Sequence, residues 1–525
     1  MRIHITGTRI AVATVTALLV AGAGCGGGGG GGGGGGNASG GKPQYGGSIV
    51  IDRSAESESM DKETVFDNES IWIFEQIMEP LYTVSKDGKS VEPWLATSYD
   101  LSPDQKTYTF HLRPGVKFSN GKPMTSADVK FSIDRARAAT QGWGFLDTAI
   151  KNIETPDPET VVIHTKFKWS PLLADIALFA NGIIPKDYNG ETAKQFYTHP
   201  IGTGPFMWDH WDHGNELVLK KNPNYWQKGK PYLDKVTWRT VTNTNTRQLQ
   251  LEGGQAQIDE FPDWQTVNTL EHTPGVVMKL FPSTRTDYMM MNERYAPLAD
   301  VHVRRAISLA LDRKAMISSV LFGHGQPANS FMPPQVPYYD PNSPGLQFNL
   351  DQAKQEMSQS KYPNGFTVQM LIGAGVADEK SIGQIVQDEL GKIGIKVVFK
   401  PVDPSVEFTD EQEFKYQLGT SYWTMDIADP DELVTFAVDP GSGAKSFYTD
   451  YSNKDVIAWT HDAEHTFSKS ARQGLYNKIQ TQAANDAFMA FLYYSPYRYA
   501  FSDKVQGFFV YPTGNYHMED VWLKK

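Results

Sequence analysis

The stretch Tyr422-Trp423-Thr424-Met425-Asp426-Ile427-Ala428-Asp429-Pro430 ends an apolar run abruptly in aromatic rings and carboxylates. A carboxylate flanked by Trp and Met is costly to desolvate alone, so Asp426 either keeps water or meets a cation, and a ligand's amine is one candidate cation. A solvated loop Asp or a helix N-cap satisfies the same local sequence, and all three readings stay open at this point. A second pattern, His461-Asp462-Ala463-Glu464-His465, fits the His-x-x-Glu-His zinc-peptidase signature with both imidazoles on one helical face. Its neighbours Asn453, Lys454, Asp455, Lys469 and Ser470 describe a solvated helix, and no third ligand follows, so a zinc-dependent hydrolase using His461 and His465 is a remote alternative. His210 and His213 lack a neighbouring Cys or third ligand and read as loop histidines. With no Gly-x-Ser-x-Gly elbow, phosphate loop or Cys/His pair in the chain, the expectation is a protein without catalysis, cofactor or metal.

The elements around these residues say where they sit. Phe414-Lys415-Tyr416-Gln417-Leu418-Gly419-Thr420 alternates as a strand, and Pro430 stops regular pairing. Asp426 therefore falls at a strand's end, where open α/β sheets hold ligands. Upstream, Gly47 to Ile51 reads as a first strand and Ile71 to Met78 as a buried helix, with Asn68, Glu69 and Ser70 between them as ligand contacts or a capping segment. Tyr108, Phe110 and Leu112 alternate with polar partners in a β-rich section. Thr125-Ser126-Ala127-Asp128 resembles a capping box, with Val129, Ile133 and Ala136 on one face of the helix that follows. Trp143 and Phe145, in a glycine-loosened loop, suit a pocket wall or a loop pinned to the core. Further strands are predicted at 216–219 and 235–239. In the second half, helices carry Val303 to Leu311 and Met316 to Leu321, and a strand at 366–372, a helix with Ile382, Ile385, Val386 and Leu390, and a strand at 395–399 form a parallel βαβ unit. The strand running into Asp426 is expected to join that sheet. At least two αβ bodies follow, with the Asp426 loop looking from the later one into the cleft between them.

The chain's 525 residues exceed a single core and predict two or three domains. A net charge of −11 argues against nucleic acid and anionic membrane surfaces, whose phosphates demand a basic face. At the amino terminus Arg2, His4 and Arg9 precede an apolar run from Ile10 to Val20 and the small residues Ala21 to Gly24, a secretory signal too short to span a bilayer comfortably. Cys25 follows at once and is the only cysteine, so no intramolecular disulfide forms. A lone Cys there looks like a bacterial lipoprotein acceptor, acylated before cleavage makes it the new amino terminus, although Gly22 stands where lipoproteins usually carry Leu. Gly26 to Gly36 and the residues to Gly41 cannot fold and form a tether, which at about sixteen residues holds the body on the order of 20 Å from its anchor.

Several ordered blocks closely resemble the peptide-binding family of bacterial ABC-transporter solute receptors. They are Phe118-Ser119-Asn120-Gly121-Lys122-Pro123-Met124-Thr125-Ser126-Ala127-Asp128, Ile201-Gly202-Thr203-Gly204-Pro205-Phe206 with Asn222-Pro223-Asn224-Tyr225-Trp226, Val303-Arg304-Arg305-Ala306-Ile307 with Asp312-Arg313, and Val505-Gln506-Gly507-Phe508. The resemblance runs from about Gly46 to the end. It implies an α/β, two-lobed periplasmic-binding-protein-like fold with three domains and mixed sheets. After a signal at 1–24 and a lipid-anchored tether at 25–44, the expected domains are a discontinuous first (45–75, 185–285 and 496–525), an inserted second (76–184) and a third (286–495) that is the second lobe. It also implies a monomer that encloses a small solute, hands it to ABC-transporter permease subunits, and is held on the extracytoplasmic face of the membrane by its lipid.

In dipeptide- and oligopeptide-binding members the pattern Trp-x-x-Asp-x-x-Asp-Pro carries the Asp that pairs with the peptide's amino terminus. Trp423, Asp426, Asp429 and Pro430 match it in register, which selects the anchor reading for Asp426. The resemblance thus makes Asp426, Trp423, Tyr422, Thr424, Met425, Glu69, Asn68 and Trp143 the ligand-binding candidates and Cys25 the lipidation site. Dipeptide-binding relatives carry an Arg after the strand matching 366–372, where it clamps the peptide carboxylate. Here Gly373 to Asp378 contain none, which favours a longer peptide or an uncharged or cationic solute. Sugar-binding members would use Trp143, Tyr422 and Trp423 as stacking platforms. Capture of an oligosaccharide, nickel or haem is the alternative within the fold, and a sensing or chaperone role without transport is indistinguishable from uptake at this level.

Overall fold

The computed structural model describes residues 41–139, 142–441 and 446–525. The signal at 1–24, Cys25 and nearly all of the tether lie outside the described residues. Residues Pro43–Lys525 form one compact unit. No helix among the described residues is long and apolar enough to cross a membrane.

Three larger sheets organise this unit. A seven-stranded mixed sheet is centred on Ser48–Arg53, whose apolar Ile49 and Ile51 are fully buried; it pairs parallel with both Lys235–Thr240 and Ile258–Glu260. A four-stranded antiparallel sheet contains Thr107–Leu112, which buries Tyr108, Phe110 and Leu112 on one face as its alternation requires. Thr125 and Asp128 form the predicted capping box at the start of the helix Ser126–Ala138, which buries Val129, Ile133 and Ala136.

The six-stranded mixed sheet holds the βαβ unit. Phe366–Gly373 and Ile395–Val402 are parallel neighbours, and the helix Ala377–Gly391 connects them. Leu418–Trp423 lies between Thr286–Met291 and Phe366–Gly373, antiparallel to the first and parallel to the second. The chain passes between the seven- and six-stranded sheets twice, once between the strands Val276–Phe281 and Thr286–Met291, and once between Met489–Tyr494 and Tyr497–Ser502. These passages are bonded side by side: the Ser283 hydroxyl donates to the Ser495 carbonyl, and the Ser495 hydroxyl donates to Asp287.

One boundary differs from expectation. The helix predicted at 71–78 is Asn68–Phe74, because Asp67 is its N-cap and accepts the Ser70 N–H at 2.7 Å. The cap expected within Asn68, Glu69 and Ser70 is thus one residue earlier, and those three residues form the first turn.

Candidate ligand-binding site

The strand Leu418–Trp423 gives way to a loop that ends where Pro430 precedes the helix Asp431–Val438. Protein groups hold this loop at three points. Glu432, in the first turn of that helix, reaches back so that its carboxylate accepts the Trp423 indole N–H at 3.0 Å and the Asp426 backbone N–H at 2.9 Å. The Met425 N–H donates to the Thr284 hydroxyl at 3.0 Å. Asp429 receives both terminal nitrogens of Arg472 at 2.7 Å, a bidentate pair that ties the loop to the helix Lys469–Asp486. Each member of the Trp-x-x-Asp-x-x-Asp-Pro pattern therefore has a structural partner except Asp426, whose carboxylate makes no hydrogen bond or ion pair among the described residues.

Asp426 faces a cavity of about 220 Å³ lined also by Asn68, Glu69, Trp143, Tyr422, Trp423 and Thr424. Seven of the eight residues selected from the sequence thus meet around one space. Met425 is the exception: its side chain is fully buried in the core rather than on the cavity wall, because the loop turns it inward next to Thr284. Phe66, Asp67, Ser421, Tyr288 and Tyr448 complete the wall. No sequence pattern singles these out; Asp67 alone carries a signal, as a capping residue before a helix.

The electrostatics of this space are acidic. Burial first, then the neighbouring carboxyls of Glu432 and Glu75, push Asp426 well above the usual carboxylate range. Burial likewise pushes Glu432 and Glu75 up to about 7. Glu69 also rises to about 7 because burial outweighs the attraction of Arg53. Asp67, Glu69 and Asp426 line the cavity itself, and a protonated amine is the group that would relieve the burial of Asp426, which no cation pairs among the described residues.

A second chamber of about 300 Å³ adjoins the first, sharing Asn68, Glu69, Tyr288, Ser421, Tyr422 and Thr424 as walls. Tyr422 stands between them with 46% of its surface open, although the Arg285 guanidinium lies 3.5 Å from its ring centre. Trp143 is anchored from behind, donating its indole N–H to the Val65 carbonyl at 2.8 Å and packing on Phe179 and Phe66.

The other chemistry-bearing patterns do not assemble. His461 bonds Glu464 at 2.9 Å, whereas His465 lies at the helix end against the rings of Phe167 and Trp169. His210 pairs with Asp209, and His213 with Glu56. These last two border a shallow depression of about 800 Å³ on the seven-stranded sheet, larger than either chamber. Two of its polar side chains already have partners, Trp211 with Glu56 and Arg135 with Asp61. Among the described residues no group of three His, Cys, Asp or Glu side chains is placed to hold a metal ion.

A two-lobed α/β body with an unpartnered carboxyl facing a cavity at a strand's end has the arrangement in which open α/β sheets hold ligands. The chain belongs to the bacterial extracellular solute-binding proteins, family 5, whose middle region matches residues 90–445. It is 29% identical over 474 residues to the glutathione-binding protein GsiB of Pectobacterium atrosepticum, covering 89% of this chain and 92% of that one. Among solved structures it is similar to the ABC transporter-associated periplasmic binding protein DppA from Helicobacter pylori in complex with the peptide STSA (TM-score 0.83, 27% identity, 92% of this chain and 99% of that one). It is also similar to the oligopeptide-binding protein AppA from Bacillus subtilis in complex with a nonapeptide (TM-score 0.81, 25% identity, 92% and 100%). The protein is a solute-binding receptor of an ABC importer, acting outside the cytoplasm, and not an enzyme.

Proposed function

We propose that this receptor captures a short peptide or peptide-like amine between its lobes and delivers it to the permease subunits of its importer. The observation that carries the reading is the Asp426 carboxylate, without a partner among the described residues and facing a cavity walled by Trp143, Tyr422 and Trp423. The peptide and glutathione ligands named for similar proteins support it. Trp143, at 2% exposed, offers no open ring face on which an oligosaccharide could stack. Asp426→Asn is expected to weaken binding of a free-ended tripeptide by about 1.5 kcal/mol or more, measured by calorimetry. Unchanged affinity, or equal binding of the amino-acetylated peptide, would overturn the assignment.

The same proposal includes a lipid anchor at Cys25 and a monomeric receptor on the extracytoplasmic face of the membrane. It also assigns residues 45–75, 185–285 and 496–525 to the first domain, 76–184 to the second and 286–495 to the third, which accords with the segments that supply the three larger sheets. Metabolic labelling with an alkyne fatty acid tests the anchor; label retained by Cys25→Ala would refute it.

A further inference from the structure

The second chamber is built differently from the first. It is lined by Arg285, from the passage between the sheets, and by Arg498, from the strand Tyr497–Ser502, brought together from 213 residues apart. Arg285 is matched: its guanidinium donates to Asp287 at 2.6 Å. Arg498 has no direct ion pair among the described residues: its Nε donates to the Pro262 carbonyl, its guanidinium lies 4.4 Å from the Trp264 ring centre, and Asp378, Asp263 and Asp287 favour its charge only from beyond ion-pair distance. Trp72 lines the same chamber, and its buried indole N–H has no acceptor among the described residues. Four acids share the space: Glu69, Asp287 on Arg285, Glu379, which accepts the Gly373 N–H at 2.6 Å, and Asp378, whose charge both arginines favour although it forms no ion pair with either.

We propose that Arg498, flanked by Arg285 and the Trp72 N–H, is the subsite for a carboxylate of the ligand, which makes the ligand a zwitterion with its amine on Asp426 and its acid beyond Tyr422. The inference rests on the amine reading of Asp426. Its physical basis is symmetry of unmet charge. Burial and Arg285 pull Arg498 down to about 10, while burial and the neighbouring acids push Asp426 up. Each ionised form is penalised at its own end, and one molecule bearing both signs relieves both penalties at once. Gly373 to Asp378 contain no arginine, and the chamber's cations come instead from the passage at Arg285 and from the strand Tyr497–Ser502.

The test is calorimetry on the full chain with Ala-Ala, Ala-Ala-Ala and glutathione, each of the two alanine peptides also as its carboxyl-terminal amide and as its amino-acetyl derivative. Amidation is expected to weaken binding about tenfold or more in the native protein. In Arg498→Gln it should cost less than about twofold, and in Arg498→Lys, which keeps the charge without the fork, an intermediate amount. If Arg498→Gln does not fold, the reduced amidation penalty of Arg498→Lys decides. An amidation penalty equal in native and variant protein, or absent in the native one, overturns the proposal. Sensitivity to amidation without sensitivity to acetylation would leave the carboxylate subsite standing and remove the amine anchor. No binding by any of these probes removes both.

Discussion

Asp426 is held where it is least comfortable. Its backbone is fixed by Glu432 and its carboxylate faces other acids, so an amine gains by binding only once the group has lost its proton. Because burial and two neighbouring carboxyls raise its pKa, affinity for a free-amine tripeptide is expected to rise between pH 5 and pH 7.5. Binding in that range should also release a proton, measurable by calorimetry in buffers of different ionisation enthalpy. Affinity that is flat with pH would sink this account. Glu432→Gln leaves one of two buried N–H groups facing an amide nitrogen, and a loss of about 1–3 kcal/mol in urea unfolding is expected.

Asp426 was legible because a strand pattern, a proline and flanking rings all point to one place. Glu432 was not, since its role depends on a helix folding back over the loop rather than on any local spacing. Arg285 and Arg498 were invisible for a related reason: neither belongs to a motif, and only the pairing of distant strands brings them to one chamber.

At the level of elements, the Ile201-to-Phe206 block shows what a motif is for. A Cβ at Gly202 would stand 1.9 Å from the Ile77 carbonyl oxygen, and one at Gly204 2.4 Å from that of Gln76. Backbone here lies directly on the segment that follows the helix Asn68–Phe74, and the Gly204 N–H donates to the Ile77 carbonyl at 2.8 Å. Gly202→Ala is therefore expected to destabilise by at least about 2 kcal/mol, read from thermal or urea unfolding, and a neutral result would mean that the close approach is not real. The βαβ unit and the capped helix Ser126–Ala138 were readable from period and cap alone. The helix at Asn68 was misplaced by three residues because its apolar stripe starts later than its cap.

For the whole molecule, the buried acids set a pH dependence of stability. A carboxyl whose folded pKa lies above its unfolded one holds its proton more tightly in the folded chain. Its contribution is full below the unfolded value and is lost as pH rises through the folded value. Burial raises Glu69, Glu75, Glu79 and Glu432 from 4.5, and Asp147 from 3.8, to about 7. His517 acts in the same sense, since its burial is outweighed by Glu519 together with Glu75 and Asp520, which lift it from 6.5 to about 9. The unliganded protein should melt at a lower temperature at pH 8 than at pH 5.5, and a bound amine should recover more of the difference at the higher pH. A melting temperature that climbs over that interval would contradict the burial of these groups.

The paired passages at Ser283 and Ser495 carry a mechanical implication. Two adjacent strands of chain, bonded to each other, would act as a single pivot if the halves swing. Both ends of the compact unit meet on one side of that pivot, where the Lys525 N–H donates to Gln44 at 3.3 Å. A protein fastened by its leading end would keep that half still and leave residues 286–495 as the moving jaw. How long cargo stays aboard would then be governed by the stiffness of a joint as well as by the grip of the groups that touch it.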